Sequence, residues 1–462
     1  MGYLLINGTI ITVDRNRRII RDGSLAIEGR DIVDIGPTEE LLPRHSGKEV
    51  IDTQGGIIMP GLIDCHVHLA QALIRGSADD LPLADWLSKR VWVLQGNYTP
   101  YEGRVSAELC LLEMIKSGTT TFAETLLVSR YGCDGIAAAV LQSGMRGALA
   151  KTIMDASAYA AQEHTMYPGM LEDKEACLEE ALALHQKWNG AGGGRLSIWL
   201  GPRPLGSSPP GLLREVAALA RDKNMGIHIH FAEIREEVEL LEHTFNKKPG
   251  LLLDELGLLG PRTLLVHSVW LSPEEMAVIR QRKTTIVHNP SSNAKGAYGF
   301  CPVPELLDLG VNVTLGCDGG PSNNTYDMLG EMKLAACLHK VNKLDPTTVP
   351  AEKVIEMATI NGARALGLDQ ITGSLETGKR ADVIILDCNK PHLVPNLNPV
   401  STVVYAARGQ DVDTVFIDGK LVMHRRRVMT MDEEAVLVEA KAAAANLLKK
   451  AGIDVRSGWP EY

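Results

Sequence analysis

The sequence has no C-x-x-C pair, no cysteine-dense stretch, no low-complexity segment and no long apolar run, and each absence removes a class of protein. Cys65, Cys110, Cys133, Cys177, Cys301, Cys317, Cys337 and Cys388 are scattered, which excludes a disulfide-stapled scaffold and leaves eight free thiols. No apolar segment approaches the roughly 20 residues that cross a bilayer. The start, MGYLLINGTI, lacks the basic region and apolar stretch of a secretion signal, and its sixth residue is Ile rather than the Ser or Thr of a myristoylation motif. These absences predict a cytosolic protein. An excess of positive charge is also missing: the formal net charge is -10, which argues against nucleic acid or an anionic membrane surface as partner and for a small molecule. The short run Arg425-Arg426-Arg427 reads as a solvated face without a role.

What is present is an ordinary globular balance, 45% hydrophobic and 23% charged, over a length that can hold a large core and more than one domain. Up to about residue 58 the text alternates in short segments such as YLLINGTIITV and SLAIEGRDIVDIG, separated by Gly and Asp, with no helical periodicity. Similar text returns in ADVIILD and in DTVFIDGKLVM, where Asp418-Gly419 has the chemistry of a hairpin turn. The two ends of the chain are expected to build one small β-sandwich.

Between them, nearly continuous apolar segments alternate with longer helical stretches, as parallel strands covered by helices do. Eight such segments occur between residues 61 and 320: GLIDCHVHL, TTTFAE, GALAKTIMD, LSIWLGP, GIHIHFAE, TLLVHSV, TTIVHNP and NVTLGCDGG. Eight is the count of a (β/α)8 barrel, and an open doubly wound sheet would want a Gly-rich phosphate turn after its first strand, which is missing. The expected class is therefore α/β: a TIM-type barrel over 59–364, with a β-sandwich from 1–58 and 365–462. Asp432 to Ala451 reads as a closing helix.

In such a barrel the chemistry sits at the C-terminal ends of the strands. His66 and His68 end the first segment, and the two-residue period of a strand points both imidazoles at one spot. The fifth segment adds His228 and His230, then Glu233; the sixth ends at His267 and the eighth at Asp318. A lone buried histidine is more often a satisfied core residue, but imidazole and carboxylate donors converging from four strands suit zinc or iron(II) better than calcium or magnesium. Three histidines and one carboxylate leave a position open for water, as a catalytic ion requires. His228 and His230 point the same way; His230 lies nearer the mouth and is the chosen donor, with His228 one layer deeper as packing or as a support for another ligand.

These residues and their surroundings resemble the amidohydrolase superfamily, in its branch of methylthioadenosine/S-adenosylhomocysteine deaminases and s-triazine hydrolases. The resemblance runs through MPGLIDCHVH, RGSADDLPLADWL, SGTTTFAE, HFAE, VHNPSSNAK, LGCDGGPSNN, MATINGARALGL and GSLETGKRADVIILD. It implies that His66, His68, His230 and Asp318 hold one divalent ion, zinc or iron(II), while Glu233 shuttles protons and His267 orients water or substrate. It also implies a homo-oligomer, dimer or tetramer. Dinuclear members use a carboxylated lysine on the fourth strand, where this chain has WLGPRP and no lysine, so a mononuclear site is implied. The reaction implied is displacement of an amino group by water from a nitrogen heterocycle.

Nucleoside-deaminating members carry a glutamate in W-P-L-E for the ribose hydroxyls and a histidine in G-P-H for the purine. This chain has Gln95 in WVLQ and Arg203 in GPRP. Glutamine lacks the charge that makes a carboxylate a strong acceptor, and arginine only donates. The pocket is expected to favour an oxidised purine, a pterin or a hydroxylated triazine over adenosine, unless Arg203 only pairs with a carboxylate. Trp86 is expected either to wall a flat ring or simply to pack. Chloride or alkylamine release from a triazine is the nearest alternative reaction, although chloride leaves without the proton that Glu233 and His267 would deliver. A scaffold without activity would show a lost ligand or shuttle, and neither is lost.

Overall fold

Short apolar segments with flanking Gly and Pro become strands because both of their faces can be buried. In the computed structural model, which describes residues 2–157, 166–456 and 458–460, each of the eight expected segments is one strand of a single parallel sheet. Barrel strands 1 to 8 are Leu62–Val67, Thr119–Leu127, Arg146–Ile153, Leu196–Pro202, Ile227–Phe231, Thr263–His267, Thr285–His288 and Val313–Leu315, paired in chain order. All residues of strands 1 and 3 are buried. The two edges meet through a bridge between Val67 and Asp318, with the Asp318 amide donating to the His66 carbonyl at 2.7 Å. The barrel thus closes at a seam that carries two of the candidate ligands.

The connecting helices start and stop on local chemistry. Pro100–Lys116 and Pro273–Arg282 each begin with proline and a reciprocal cap, Thr99 with Glu102 and Ser272 with Glu275. These caps satisfy amides that the first helical turn leaves without partners. Glu433–Ala451 starts on Asp432, whose side chain accepts from the Ala435 amide, and is the expected closing helix. No described helix is long and apolar enough to cross a membrane.

The ends of the chain share a second sheet of nine strands, in which Ile57–Pro60 lies between Gly2–Ile11 and Val383–Leu386. Gly2–Ile11 pairs along one edge with Ile19–Glu28, and along the other with Glu49–Asp52 and then Ile57–Pro60, so the sheet divides there. Three strand spacings, about 14 Å in a flat sheet, separate Tyr3 from Phe416, yet their ring centroids are 5.1 Å apart. The sheet therefore folds over its own core, where Leu5, Leu25 and Ile27 pack with Val383, Ile385 and Phe416. Val412–Ile417 and Lys420–His424 form the expected hairpin, with Asp418 and Gly419 both at positive φ.

Two local expectations change. A helix, Thr38–Arg44, interrupts the first β segment; it buries only Leu41, and seven residues are too few to display a period. Arg426 is no mere solvated face: its guanidinium donates to the carbonyls of Gly409 at 2.9 Å and Val412 at 2.7 Å, and also to that of Lys116, tying the second sheet to a barrel helix.

Candidate active site

The donors converge because strand ends and their first loop residues place them on one axis. His66 lies in strand 1, His68 directly after it, His230 in strand 5, His267 at the end of strand 6 and Asp318 after strand 8. Centroids of His66 lie 4.8 Å from His68, 4.9 Å from His230 and 5.7 Å from His267. Asp318 Oδ1 stands 3.4 Å from His66 Nε2 and 3.3 Å from His68 Nε2, and Oδ2 is 3.9 Å from His267 Nε2. The donor atoms of His66, His68 and His230 lie within 4.8 Å of one another, as do those of His66, His267 and Asp318. His267 and Asp318 both sit at positive φ, 67° and 68°, a backbone region that costs non-glycine residues about 1 kcal/mol or more.

Three of the rings are fixed through the nitrogen facing away from the centre. His66 Nδ1 meets His228 Nε2 at 3.0 Å, His68 Nδ1 meets the Thr125 carbonyl at 3.0 Å, and His267 Nδ1 meets Asn293 Oδ1 at 2.9 Å. Anchoring of Nδ1 leaves Nε2 aimed inward, as metal-binding histidines require. Asp318 is itself oriented by Ser292 Oγ at 2.6 Å and the Gly319 amide at 2.7 Å. Gly319 leaves room for the Gln71 side chain: a Cβ there would stand 1.7 Å from Gln71 Oε1 and displace it.

Burial pushes His66 down to about 3 and His228 and His230 well below the usual imidazole range, so these three rings are neutral. Burial alone would raise Asp318, but the imidazoles of His66 and His68 hold it well below the carboxylate range. Burial raises Glu233, with His267 opposing it at 3.5 Å. His66 Nε2 is buried without a hydrogen-bond partner and faces these donors, so the residues fit a divalent ion.

Above the donors lies a cavity of about 120 Å³ lined by Glu233, Gln95, Arg203 and Trp86 among others. Gln95 is buried, and its Oε1 accepts from Gln71 Nε2 at 3.4 Å. Arg203 lies over the Trp92 ring, 5.8 Å from its centroid. Trp86 lines the cavity and also packs on the core. The structure thus brings together every site residue expected from sequence, and adds Thr125, Asn293, Ser292 and Gln71 as their supports.

A model of the amidohydrolase family matches residues 57–422, which contain the whole constellation. The chain belongs to this family. This amidohydrolase is 40% identical over 452 residues to a 5-methylthioadenosine/S-adenosylhomocysteine deaminase of Syntrophomonas wolfei, covering 97% of this chain and 100% of that one. Among solved structures it is similar to a zinc-bound adenosine deaminase from Xanthomonas campestris, with TM-score 0.89, 29% identity and coverage of 97% and 98%. It is also similar to an atrazine chlorohydrolase from Arthrobacter aurescens complexed with zinc, with TM-score 0.86, 25% identity and coverage of 96% and 100%. Family membership and the donor set together support a divalent metal in this amidohydrolase.

Two further acids went unassigned in the sequence. Glu124, on strand 2, lines the cavity, accepts from the Leu69 amide and is pushed far up by burial. Glu237 accepts from the Glu233 amide at 3.2 Å and is pushed up to about 7 by burial and by Glu233. A helix as acidic as REEVELLEHTF hides which carboxylate turns inward.

Proposed function

We propose that this amidohydrolase is a hydrolytic deaminase that replaces an amino group on an oxygen-bearing nitrogen heterocycle, of purine, pterin or s-triazine type, releasing ammonia. The observation that carries the reading is Glu233, raised by burial and 3.5 Å from His267, beside the converged donors of His66, His68, His230 and Asp318. A divalent ion held there, zinc in this proposal, supplies the Lewis acidity that makes water nucleophilic near neutral pH. Glu233 takes one proton from the attacking water and passes it to the ring nitrogen. It then carries the remaining proton of the hydroxyl added to the ring carbon to the departing amine, so that the C–N bond breaks as the carbonyl forms and ammonia leaves, a task suited to a raised carboxylate. His267, oriented by Asn293, offers Nε2 to the attacking or developing oxygen. Asp318, held low and anchored by Ser292, stays ionised as a donor and aims the water.

Gln95 and Arg203 support the substrate class. Because Gln95 Oε1 is taken by Gln71, its amide nitrogen remains for the cavity, and Arg203 can only donate. These two donors suit ring nitrogens and exocyclic oxygen, whereas an uncharged Gln95 is a weaker acceptor for a ribose diol than a carboxylate would be. The 40% relative favours a second reading, deamination of 5′-substituted adenosines. Ammonia release from adenosine, 5′-methylthioadenosine, guanine, 8-oxoguanine, pterins and amino-triazines, with Glu233→Gln as control, separates the two. Turnover of an oxo-bearing ring above the adenosines is the expected result, and preference for the adenosines overturns it. A homo-oligomer of two or four cytosolic chains belongs to the same proposal, with light scattering as the test of assembly.

A further inference from the structure

At the opposite end of the barrel, the starts of strands 3 to 6 surround a cavity of about 290 Å³ whose lining includes Arg146, Arg195, Lys223, Arg262 and His185, and no acidic residue among those described. In a chain of net charge -10, such a lining needs a reason. Three of its cations have one. Arg146 meets Asp382 at 3.2 Å, Arg195 donates to the carbonyls of Met145 and Leu141, and Lys223 pairs with Asp222 at 2.9 Å in the last turn of a helix, where the dipole favours a cation.

Arg262 has no such account. It lies outside every described helix, forms no ion pair among the described residues, and lays its guanidinium over Trp199, 5.5 Å from the ring centroid. Its guanidinium reaches Asn224 Oδ1 only at a long 3.4 Å from Nη1, and its Nε is buried with no hydrogen-bond partner among the described residues. Burial draws Arg262 below its usual range with no carboxylate opposing. A half-buried guanidinium left unmatched is destabilising, and its planar fork on an aromatic face is the arrangement that holds phosphate oxygens in a bidentate manner.

We propose that this cavity is an anion site in which Arg262, with Lys223 and Asn224 beside it, binds a phosphate group, separately from the metal-binding mouth. Inorganic phosphate and the phosphate of a small organic ester share the chemistry, and 290 Å³ has room for either. Calorimetric titration of the metal-loaded protein at constant ionic strength, with inorganic phosphate, ribose 5-phosphate and ribose, tests it. Saturable binding of phosphate that weakens about tenfold or more in Arg262→Gln, the loss expected for a charge-assisted pair, is the expected result. Tighter binding of ribose 5-phosphate than of phosphate assigns an organic ester, and equal binding assigns the free anion. Should Arg262→Gln not fold, Lys223→Gln, at an exposed position, carries the test with a weakening of about threefold. Absence of saturable binding, or affinities unchanged by both substitutions, overturns the proposal.

Discussion

At the C-terminal ends of barrel strands 1, 5, 6 and 8 stand histidines and a carboxylate, whereas at the N-terminal ends of strands 3 to 6 stand three arginines and a lysine. The upper imidazoles of His66, His68 and His267 are each held by a single directed bond, such as His267 Nδ1 to Asn293 Oδ1, and Nε2 of His66 is left without a hydrogen-bond partner among the described residues. At the lower end Arg146 is saturated by Asp382 at 3.2 Å and approaches Asp418 at 3.6 Å, while the Asp418 amide closes back on Asp382 at 2.6 Å. The upper end keeps coordination capacity in hand, whereas Arg146 at the lower end uses its own to fasten the hairpin of the second sheet. Function and stability are thus drawn from opposite ends of the same strands.

That contrast can be broken by experiment. Glu233→Gln at the upper end is expected to lower turnover about a thousandfold, the scale of a lost general acid and base, with metal content by atomic absorption unchanged. A matching loss of metal would make Glu233 a structural support. Asn293→Ala, which frees the His267 ring, should lower turnover about 10- to 100-fold, the usual cost of losing a ligand's support, without shifting the thermal midpoint by more than a degree or two. Arg146→Met at the lower end should do the reverse, lowering stability to urea by about 3 kcal/mol because Asp382 is left buried without a counter-charge, while turnover per folded molecule stays constant.

Glu331 sharpens the comparison, since it lies just behind the mouth yet touches none of the donors. Burial pushes it up to about 8, although it accepts from the Ser291 amide at 3.1 Å and Asn323 Nδ2 at 2.8 Å. The folded state keeps a proton that the unfolded chain, titrating near 4.5, has already released. Between these values the unfolded state binds fewer protons, so stability falls as pH rises, by at most about 1.4 kcal/mol per unit, and levels above pH 8. Urea midpoints from pH 5.5 upward should show this slope, and Glu331→Gln should flatten it. The smallest effect is expected from Arg262→Gln, which should leave turnover within about twofold because surface and distal substitutions rarely act on a rigid site.

Much of this was legible before any coordinates. The eight strands could be read because each is a short apolar run, and His66 and His68 because a strand's period leaves one geometry for two histidines two apart. The partners of those histidines could not. Thr125 holds His68 through a backbone carbonyl, which every residue possesses, and Asn293 is one of several polar residues in NPSSN. Gln95 was visible as a departure from the family, but its hydrogen bond to Gln71 depends on how a short helical turn after strand 1 faces Trp92–Gln95. The folding-over of the second sheet was hidden for a similar reason: Tyr3 and Phe416 meet only after the strands between them have bent.

The seam between strands 1 and 8 reaches beyond chemistry. Asp64 Oδ1 accepts from the Cys317 amide across 253 residues of chain, next to the His66–Asp318 junction. Long loops close slowly and non-local pairs form late. The full donor set needs Asp318 from beyond strand 8, and so is complete only when the last strand meets the first. An ion that needs all four donors would therefore bind the closed circle in preference to an open one, and its binding would add to the stability of that closure.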